Sequence, residues 1–493
     1  MSTPLKILFV SAEVAPFAKT GGLADVAGAL PKALVERGHD VRVIMPWYQS
    51  MVLAGVQAPV IGAPVPLTEE GLPDDMPAAF TLREGRLPKS QVPIYFVDQP
   101  AYFDREKLYG DEAGDYRDNG DRYSFFSRAV LAAARARNFV PDVVHLNDWH
   151  TGLVPVYLKT LFAEDPFFKK TGTLFTVHNL AYQGLFPDWQ FGRTGLDWSL
   201  YTSDGLEFYG QMNIMKGALL YSDKVNTVSP RYAEEIRGQE YGCGLEGVLK
   251  GRGADLTGII NGLDAQEWDP KTDGHLSVNY GADSLARKAE LKKALRLELG
   301  LPEEDVPIVA MVTRLDHQKG LSLVEEITDY FMHLDMQFVL LGTGDPRYHE
   351  SFGRLAKTYP EKASVNLRFD NGLAHRIEGA ADVFLMPSRF EPCGLNQLIS
   401  LRYGTVPVVR AVGGLADTVK DYEPRTGKGN GFVFSEFNSM ALFNAVQRAL
   451  EVHKEKAAWL KLQKAGMAED HSWGASAAEY EKLYNEIVAL KKA

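Results

Sequence analysis

The chain has 493 residues, 45% hydrophobic and 24% charged, enough for two folded domains of roughly 200–250 residues each. Its net charge of -11 argues against a nucleic-acid partner, and two cysteines, Cys243 and Cys393, are too few for a disulfide framework. The apolar stretch at 7–10 is too short for a signal-peptide core and no run of eighteen apolar residues occurs, so a cytoplasmic protein without a membrane partner is expected.

Short apolar runs rich in Val, Ile and Phe lie at 7–10, 41–45, 93–97, 143–146, 174–177, 224–228 and 258–260. Amphipathic stretches such as 23–36 and 122–137 separate them. This is the alternation of strand and crossover helix that builds a parallel sheet. The rhythm restarts after a charged helical stretch at 282–299, with strand-like runs at 307–312, 338–341, 365–369, 383–386 and 406–409. A last helix is expected over 476–493. The pattern predicts an α/β chain of two Rossmann-like, doubly wound domains, 1–258 and 259–472, followed by a terminal segment, 473–493. Two such domains facing a deep cleft would bring the loops after their strands to one place, because open α/β sheets bind ligands at the carboxyl ends of their strands.

Four motifs follow predicted strands. Lys19-Thr20-Gly21-Gly22-Leu23-Ala24-Asp25 opens a helix. Paired glycines let a ligand approach the backbone, free amides at a helix start attract anions, and Lys19 adds a positive charge. Arg314 and Lys319 share one loop and could clamp a diphosphate, although a solvated charged loop looks the same. In Ser388-Arg389-Phe390-Glu391-Pro392-Cys393-Gly394-Leu395, Glu391 could hold sugar hydroxyls or simply pair with Arg389. Cys393 reads as a small packing residue, since no base neighbours it. Gly413-Gly414-Leu415-Ala416-Asp417-Thr418 echoes the first motif. In the first half, His145, Asp148 and His150 end one strand and His178 another. These residue types suit polar substrate contacts, and a metal site is the weaker reading, since no further ligand cluster appears.

Taken in order, Lys19-Thr20-Gly21-Gly22-Leu23, His178-Asn179-Leu180-Ala181-Tyr182-Gln183-Gly184, Asn261-Gly262-Leu263-Asp264, Glu391-Pro392-Cys393-Gly394-Leu395 and Gly413-Gly414-Leu415-Ala416-Asp417-Thr418 resemble the bacterial glycogen synthases and plant starch synthases across nearly the whole chain. The resemblance implies a glycosyltransferase-B fold whose terminal helix crosses back onto the first domain. It implies transfer of glucose from ADP-glucose to an α-1,4-glucan (glycogen or a malto-oligosaccharide), with retained configuration and without a metal or other cofactor. By the same resemblance Lys19 with Gly21 and Gly22 reaches the donor phosphates from the first domain, and Arg314 and Lys319 bind them from the second. Glu391 holds the glucose hydroxyls beside the amides of Cys393, Gly394 and Leu395, with Gly413 and Gly414 close by. Phe369 lies against adenine, His178 and Asp148 lie near the glucose, and Asn261 sits at the edge of the site. Many related transferases carry a second Glu where this chain has Ile399, so the ribose contact is left unplaced. A related retaining transferase using UDP-glucose or another acceptor is the alternative; a catalytically silent glucan-binding protein has no use for the phosphate-facing cations.

Overall fold

The computed structural model describes residues 3–67, 72–112 and 114–492. The chain divides into two compact units, one of Met1–Val228, Ala233–Gly262 and Trp473–Ala493, the other of Ser229–Tyr232 and Leu263–Ser472. Among the described residues no helix is long and apolar enough to cross a membrane.

The first unit is built on a nine-stranded sheet. Its order is Leu256–Gly258, Lys224–Thr227, Gly172–Val177, Val143–Asn147, Lys6–Val10, Asp40–Pro46, Pro93–Asp98, Ala79–Arg86 and Val65–Pro66. The first seven run parallel, and the last two add an antiparallel edge. Val143–Asn147 and Gly172–Val177 are buried at every position, as strands covered by helices on both faces must be. The winding reverses between Lys6–Val10 and Val143–Asn147, so the crevice of this unit opens beyond Val10 and Asn147. The closing helix, Trp473–Leu490, packs against Gly22–Glu36 and Gly172–Val177; Ala493, at the end of the expected helix, lies outside the described residues.

The second unit holds six parallel strands in the order Ala363–Asn366, Gln337–Leu341, Ile308–Val312, Val383–Met386, Val406–Arg410 and Phe432–Phe434. Alternate residues feed two separate cores. Val309, Met311, Phe338, Leu340, Val383 and Leu385 enter one, while Ile308, Ala310, Val339, Leu341, Phe384 and Met386 enter the other. The period of two along each strand thus packs helices onto both faces. The winding reverses between Ile308–Val312 and Val383–Met386.

Several expected boundaries shift. The strand expected at 258–260 is Leu256–Gly258, paired to Lys224–Thr227. The strand expected at 365–369 is Ala363–Asn366; past it Arg368 pairs with Asp370, and Asp370 caps the helix Asn371–Ala380. Phe369 therefore leaves the sheet and stands 87% exposed. The helix expected from 282 becomes α-helical at Lys288, after a 3-10 turn at Leu285–Arg287. A small antiparallel sheet of Leu185–Pro187, Gln211–Asn213 and Glu207–Phe208 has strands of two or three residues, too short for an alternation to register.

Candidate functional site

In the first unit the Lys19 loop is shaped by Glu13. This buried carboxylate follows the strand Lys6–Val10 and accepts hydrogen bonds from the Thr20 amide, the Thr20 hydroxyl, the Gly21 amide (3.2 Å) and the Tyr109 hydroxyl (2.7 Å). Burial and the neighbouring Glu13 charge push the Tyr109 phenol well above its ordinary range, so it remains a donor. Lys19 is half exposed, and its ammonium lies 2.6 Å from Asp25, a surface pair worth about 0–1 kcal/mol and readily exchanged for another anion. A Cβ on Gly21 or Gly22 would meet nothing within 4 Å, and Gly21 is extended. The fold itself places no demand for glycine at either position, and the turn is open on that side.

Beyond the neighbouring strand, Asp148 occupies a left-handed conformation with φ 55° and ψ 175°, a region other than glycine reaches at about 1–3 kcal/mol. Its buried carboxylate accepts from the amide of His178 at 2.8 Å and from that of Asn179, fixing the loop after Gly172–Val177. Burial raises this carboxyl to about 7 against those two amides. Asn147 donates from Nδ2 to the Val10 carbonyl at 2.9 Å, so its Oδ1 is the acceptor for His178 Nε2, also at 2.9 Å. The imidazole therefore carries its proton on Nε2, and burial lowers it to about 3. His178 is neutral at physiological pH, its Nε2 proton committed to Asn147.

His145 and His150 go elsewhere. Thr176 gives its hydroxyl proton to Asn226 Oδ1, so His145 Nε2 donates to Thr176 at 2.6 Å and His145 Nδ1 accepts from Tyr484 at 2.7 Å. His145 thus anchors the terminal helix. His150 is sandwiched between Trp149, at 4.0 Å between centroids, and Tyr109, at 4.6 Å. Among the described residues these side chains form no metal-binding group. Asn261 is buried in this unit, and its Oδ1 has no partner among the described residues.

In the second unit the Lys319 and Glu391 loops are fastened together. Arg389 donates its amide to the Gln318 carbonyl at 2.8 Å, and Gln318 Nε2 donates to Phe390 O at 3.2 Å. Gly320, with φ +68°, lies so near the Pro387 carbonyl that a Cβ would collide with it. Lys319 Nζ then sits 2.7 Å from Glu391 Oε2, to which Ser388 Oγ also donates at 2.9 Å. The pair is largely buried, with side chains 18% and 7% exposed. Arg389, which could have been the partner of Glu391, instead lies over the Phe437 ring at 4.2 Å.

At the reversal of the winding is a cavity of about 250 Å³ lined by Arg314, Thr343, Phe369, Glu378, Asn396 and Ile399 among others. Arg314 is exposed and 3.4 Å from Asp316. Asn396 donates to the Val312 carbonyl at 2.7 Å, the counterpart of the Asn147 bond to Val10 in the first unit. Cys393 is buried, and Gly394 and Leu395 lead from it into the helix Asn396–Tyr403. Gly413 and Gly414, read as an echo of the first turn, are used differently: a Cβ on either would collide with the carbonyl of Glu391 or Cys393. The Gly414 amide donates to Glu391 O and Pro392 O, so this turn seats the Glu391 loop. Glu13, Tyr109 and Glu378 stand outside the motifs, and Asn147, Ser388 and Asn396 lie within them without a role of their own. A lone carboxylate just past a buried strand was the available signal for Glu13; the others carry none without the tertiary contacts.

Residues 6–251 match the starch synthase catalytic domain family, and residues 295–464 match the glycosyl transferases group 1 family. The glycogen synthase of Koribacter versatilis is 47% identical over 99% of both chains, and that of Moorella thermoacetica 47% identical over all of this chain and 99% of its own. The catalytic domain of starch synthase IV from Arabidopsis thaliana, solved bound to ADP and acarbose, superposes with a TM-score of 0.88 at 34% identity over 99% of this chain and 100% of that one. A sucrose-phosphate synthase from Thermosynechococcus elongatus shares the fold alone, at a TM-score of 0.59 and 20% identity over 98% of this chain and 99% of that one. With each half matched and near-half identity running the full length, the chain belongs to the glycogen and starch synthase family of glycosyltransferases.

Proposed function

We propose that this glycosyltransferase elongates an α-1,4-glucan at its non-reducing end with glucose from ADP-glucose, retaining the anomeric configuration. The observation that carries the reading is the buried Lys319–Glu391–Ser388 cluster, in the same unit as the cavity lined by Arg314 and Phe369. Such a cluster offers a carboxylate for sugar hydroxyls next to a cation for phosphate. The ADP bound to the starch synthase IV catalytic domain supports the choice of adenine nucleotide.

The step to be catalysed is cleavage of the bond between the anomeric carbon and the diphosphate. Negative charge grows on the leaving group, and Lys19, Arg314 and Lys319 neutralise it. Glu391 binds hydroxyls of the donor glucose beside the amides of Cys393, Gly394 and Leu395, and Phe369 stacks on the base. Gly21 and Gly22 leave room for a phosphate at the start of their helix. Gly413 and Gly414 hold the Glu391 loop at the sugar, and Asn261 offers its buried amide at the edge of the donor. The acceptor hydroxyl attacks from the face the diphosphate leaves, and its proton passes to the departing phosphate oxygen. The His178 carbonyl, held in place by Asp148, faces the developing positive charge on the sugar ring.

The test is transfer of labelled glucose onto glycogen from ADP-glucose and, separately, UDP-glucose. Incorporation from ADP-glucose at a clearly higher kcat/KM is expected, with the α-anomer in the product. Equal or greater use of UDP-glucose overturns the donor assignment.

A further inference from the structure

Among the residues lining the cavity of the second unit is a buried carboxyl that the proposed reaction does not use. The helix Asn371–Ala380 turns Asn371, Ala374 and Glu378 toward the cavity, positions three and four residues apart on one face. Glu378 is only 2% exposed. Its Oε2 accepts from Ser400 Oγ at 2.9 Å, while Oε1 is buried and has no hydrogen-bond partner among the described residues. The nearby ammonium of Lys288 is committed to the Gly379 carbonyl at 2.9 Å, the Tyr403 carbonyl at 3.2 Å and the Thr405 hydroxyl at 2.9 Å. A buried oxygen left unpaired destabilises the fold, a cost that an apolar side chain of the same length would avoid. Val312, Leu341, Phe369 and Ile399 give the cavity apolar walls, alongside the polar Arg314, Arg368, Asp370 and Asn396.

Burial raises the Glu378 carboxyl to about 8, against the pull of the Ser400 hydroxyl and the Lys288 charge. The raised value favours the carboxylic acid near neutral pH. Because Ser400 donates to Oε2, the acid proton sits on Oε1, which makes the unpaired oxygen a hydrogen-bond donor.

We propose that Glu378 is a specificity residue for the nucleobase of the donor, its Oε1 hydrogen-bonding an acceptor nitrogen of a purine ring that stacks on Phe369. This rests on the reading of ADP-glucose as the donor. A purine offers flat apolar faces to the cavity walls and in-plane ring nitrogens that accept a single proton. Uracil, smaller and with N–H at its ring position, leaves Oε1 short of that partner.

The experiment uses the full chain and its Glu378→Met and Glu378→Gln variants, with calorimetric binding of ADP, 2′-deoxy-ADP and UDP. Met keeps the length and removes the donor; Gln can turn its Nε2 to the same place while Ser400 donates to its oxygen. The Met variant is expected to bind ADP and 2′-deoxy-ADP equally more weakly, by about tenfold, and UDP with little change. Its kcat stays within about twofold, because the base is remote from the bond that breaks. Its melting temperature without ligand is not lowered, and Gln recovers most of the ADP affinity. Two results overturn the assignment. One is an ADP affinity in the Met variant within about twofold of the parent. The other is a loss that disappears with 2′-deoxy-ADP, which would place the contact on the ribose. A parent chain that fails to bind ADP at all sinks the donor reading itself, a distinct outcome.

Discussion

A carboxyl removed from water loses the solvation that keeps it ionised, and Asp148 is held in that state by the loops it joins. Its folded value of about 7 lies above the ordinary 3.8 that it takes when unfolded. The folded chain therefore retains a proton that the unfolded chain releases, so this group lowers stability as pH rises above about 4, with the full cost reached above about 7. The ceiling is about 4 kcal/mol at 1.36 kcal/mol per unit. Asp148→Asn keeps an acceptor for the His178 and Asn179 amides and removes the titration. It is expected to melt several degrees above the parent at about pH 8 and to lose that advantage near about pH 4, as scanning calorimetry at both pH values would show. In the proposed mechanism Asp148 also lies near the donor glucose, so loss of its carboxyl should still lower turnover by about tenfold or more. A variant neither more stable nor less active would mean that Asp148 neither titrates in the fold nor serves the reaction through its carboxyl.

Lys319 and Glu391 make the complementary case at the same scale. The ion pair is largely buried, so removing the cation strands a charge, at a cost of up to about 3–5 kcal/mol. Lys319→Met should thus lose both stability and turnover. The double variant Lys319→Met/Glu391→Gln should recover most of the melting temperature while remaining inactive. Thermal denaturation of the four members of this cycle separates the structural coupling from the chemistry. Additive losses in melting temperature would mean that the pair is not coupled in solution.

At the scale of elements, the two glycine pairs show how far a sequence can be read. Gly21-Gly22 and Gly413-Gly414 each precede Leu-Ala-Asp and each open a helix, so they look like one device used twice. One faces open space, whereas the other is wedged against the Glu391–Cys393 backbone, and no local pattern reports that distinction. Gly22→Ala is expected to keep or slightly raise the melting temperature, since alanine favours a helix by about 1 kcal/mol, while raising KM for the donor. Gly414→Ala is expected to lower the melting temperature and abolish activity together. Kinetics and melting curves on the two variants decide it; a destabilised Gly22→Ala would show that the first turn, too, serves the fold. The parallel strands were legible because burial on both faces leaves continuous runs such as Val143–Asn147. The antiparallel edge strand Ala79–Arg86 is half buried and contains Arg83, Glu84, Gly85 and Arg86, which hides it. Glu378 was equally hidden, a charged residue in a polar-looking helix whose partner, Ser400, lies on another element.

At the scale of the whole chain, the first unit is discontinuous. The backbone leaves it at Gly262 and returns at Trp473, so its sheet is completed only by the helix Trp473–Leu490. That helix supplies Tyr484 to His145, Tyr480 to Asn226, Ser476 to the Ile260 carbonyl and Glu481 to Arg37. It also buries Trp473, Ala477, Leu483 and Ile487. Without it, the buried His145 and Asn226 lose partners and the apolar face of Gly172–Val177 is uncovered. Such losses cost about 1–3 kcal/mol for each stranded polar group, before the apolar burial is counted. The second unit, Leu263–Ser472, owes its two cores to its own residues. A chain ending at Ser472 should therefore lose amide protection across Lys6–Val10, Val143–Asn147 and Gly172–Val177 while Ile308–Val312 and Val383–Met386 remain protected. Hydrogen exchange resolved by peptide reads this directly. Tyr484→Phe is the milder form of the same test: it removes one hydroxyl, leaves His145 Nδ1 unpaired, and should weaken protection in the first unit alone. Protection lost evenly from both units in the truncated chain would mean that the two fold as one cooperative block, and that the terminal helix stabilises more than the sheet it touches.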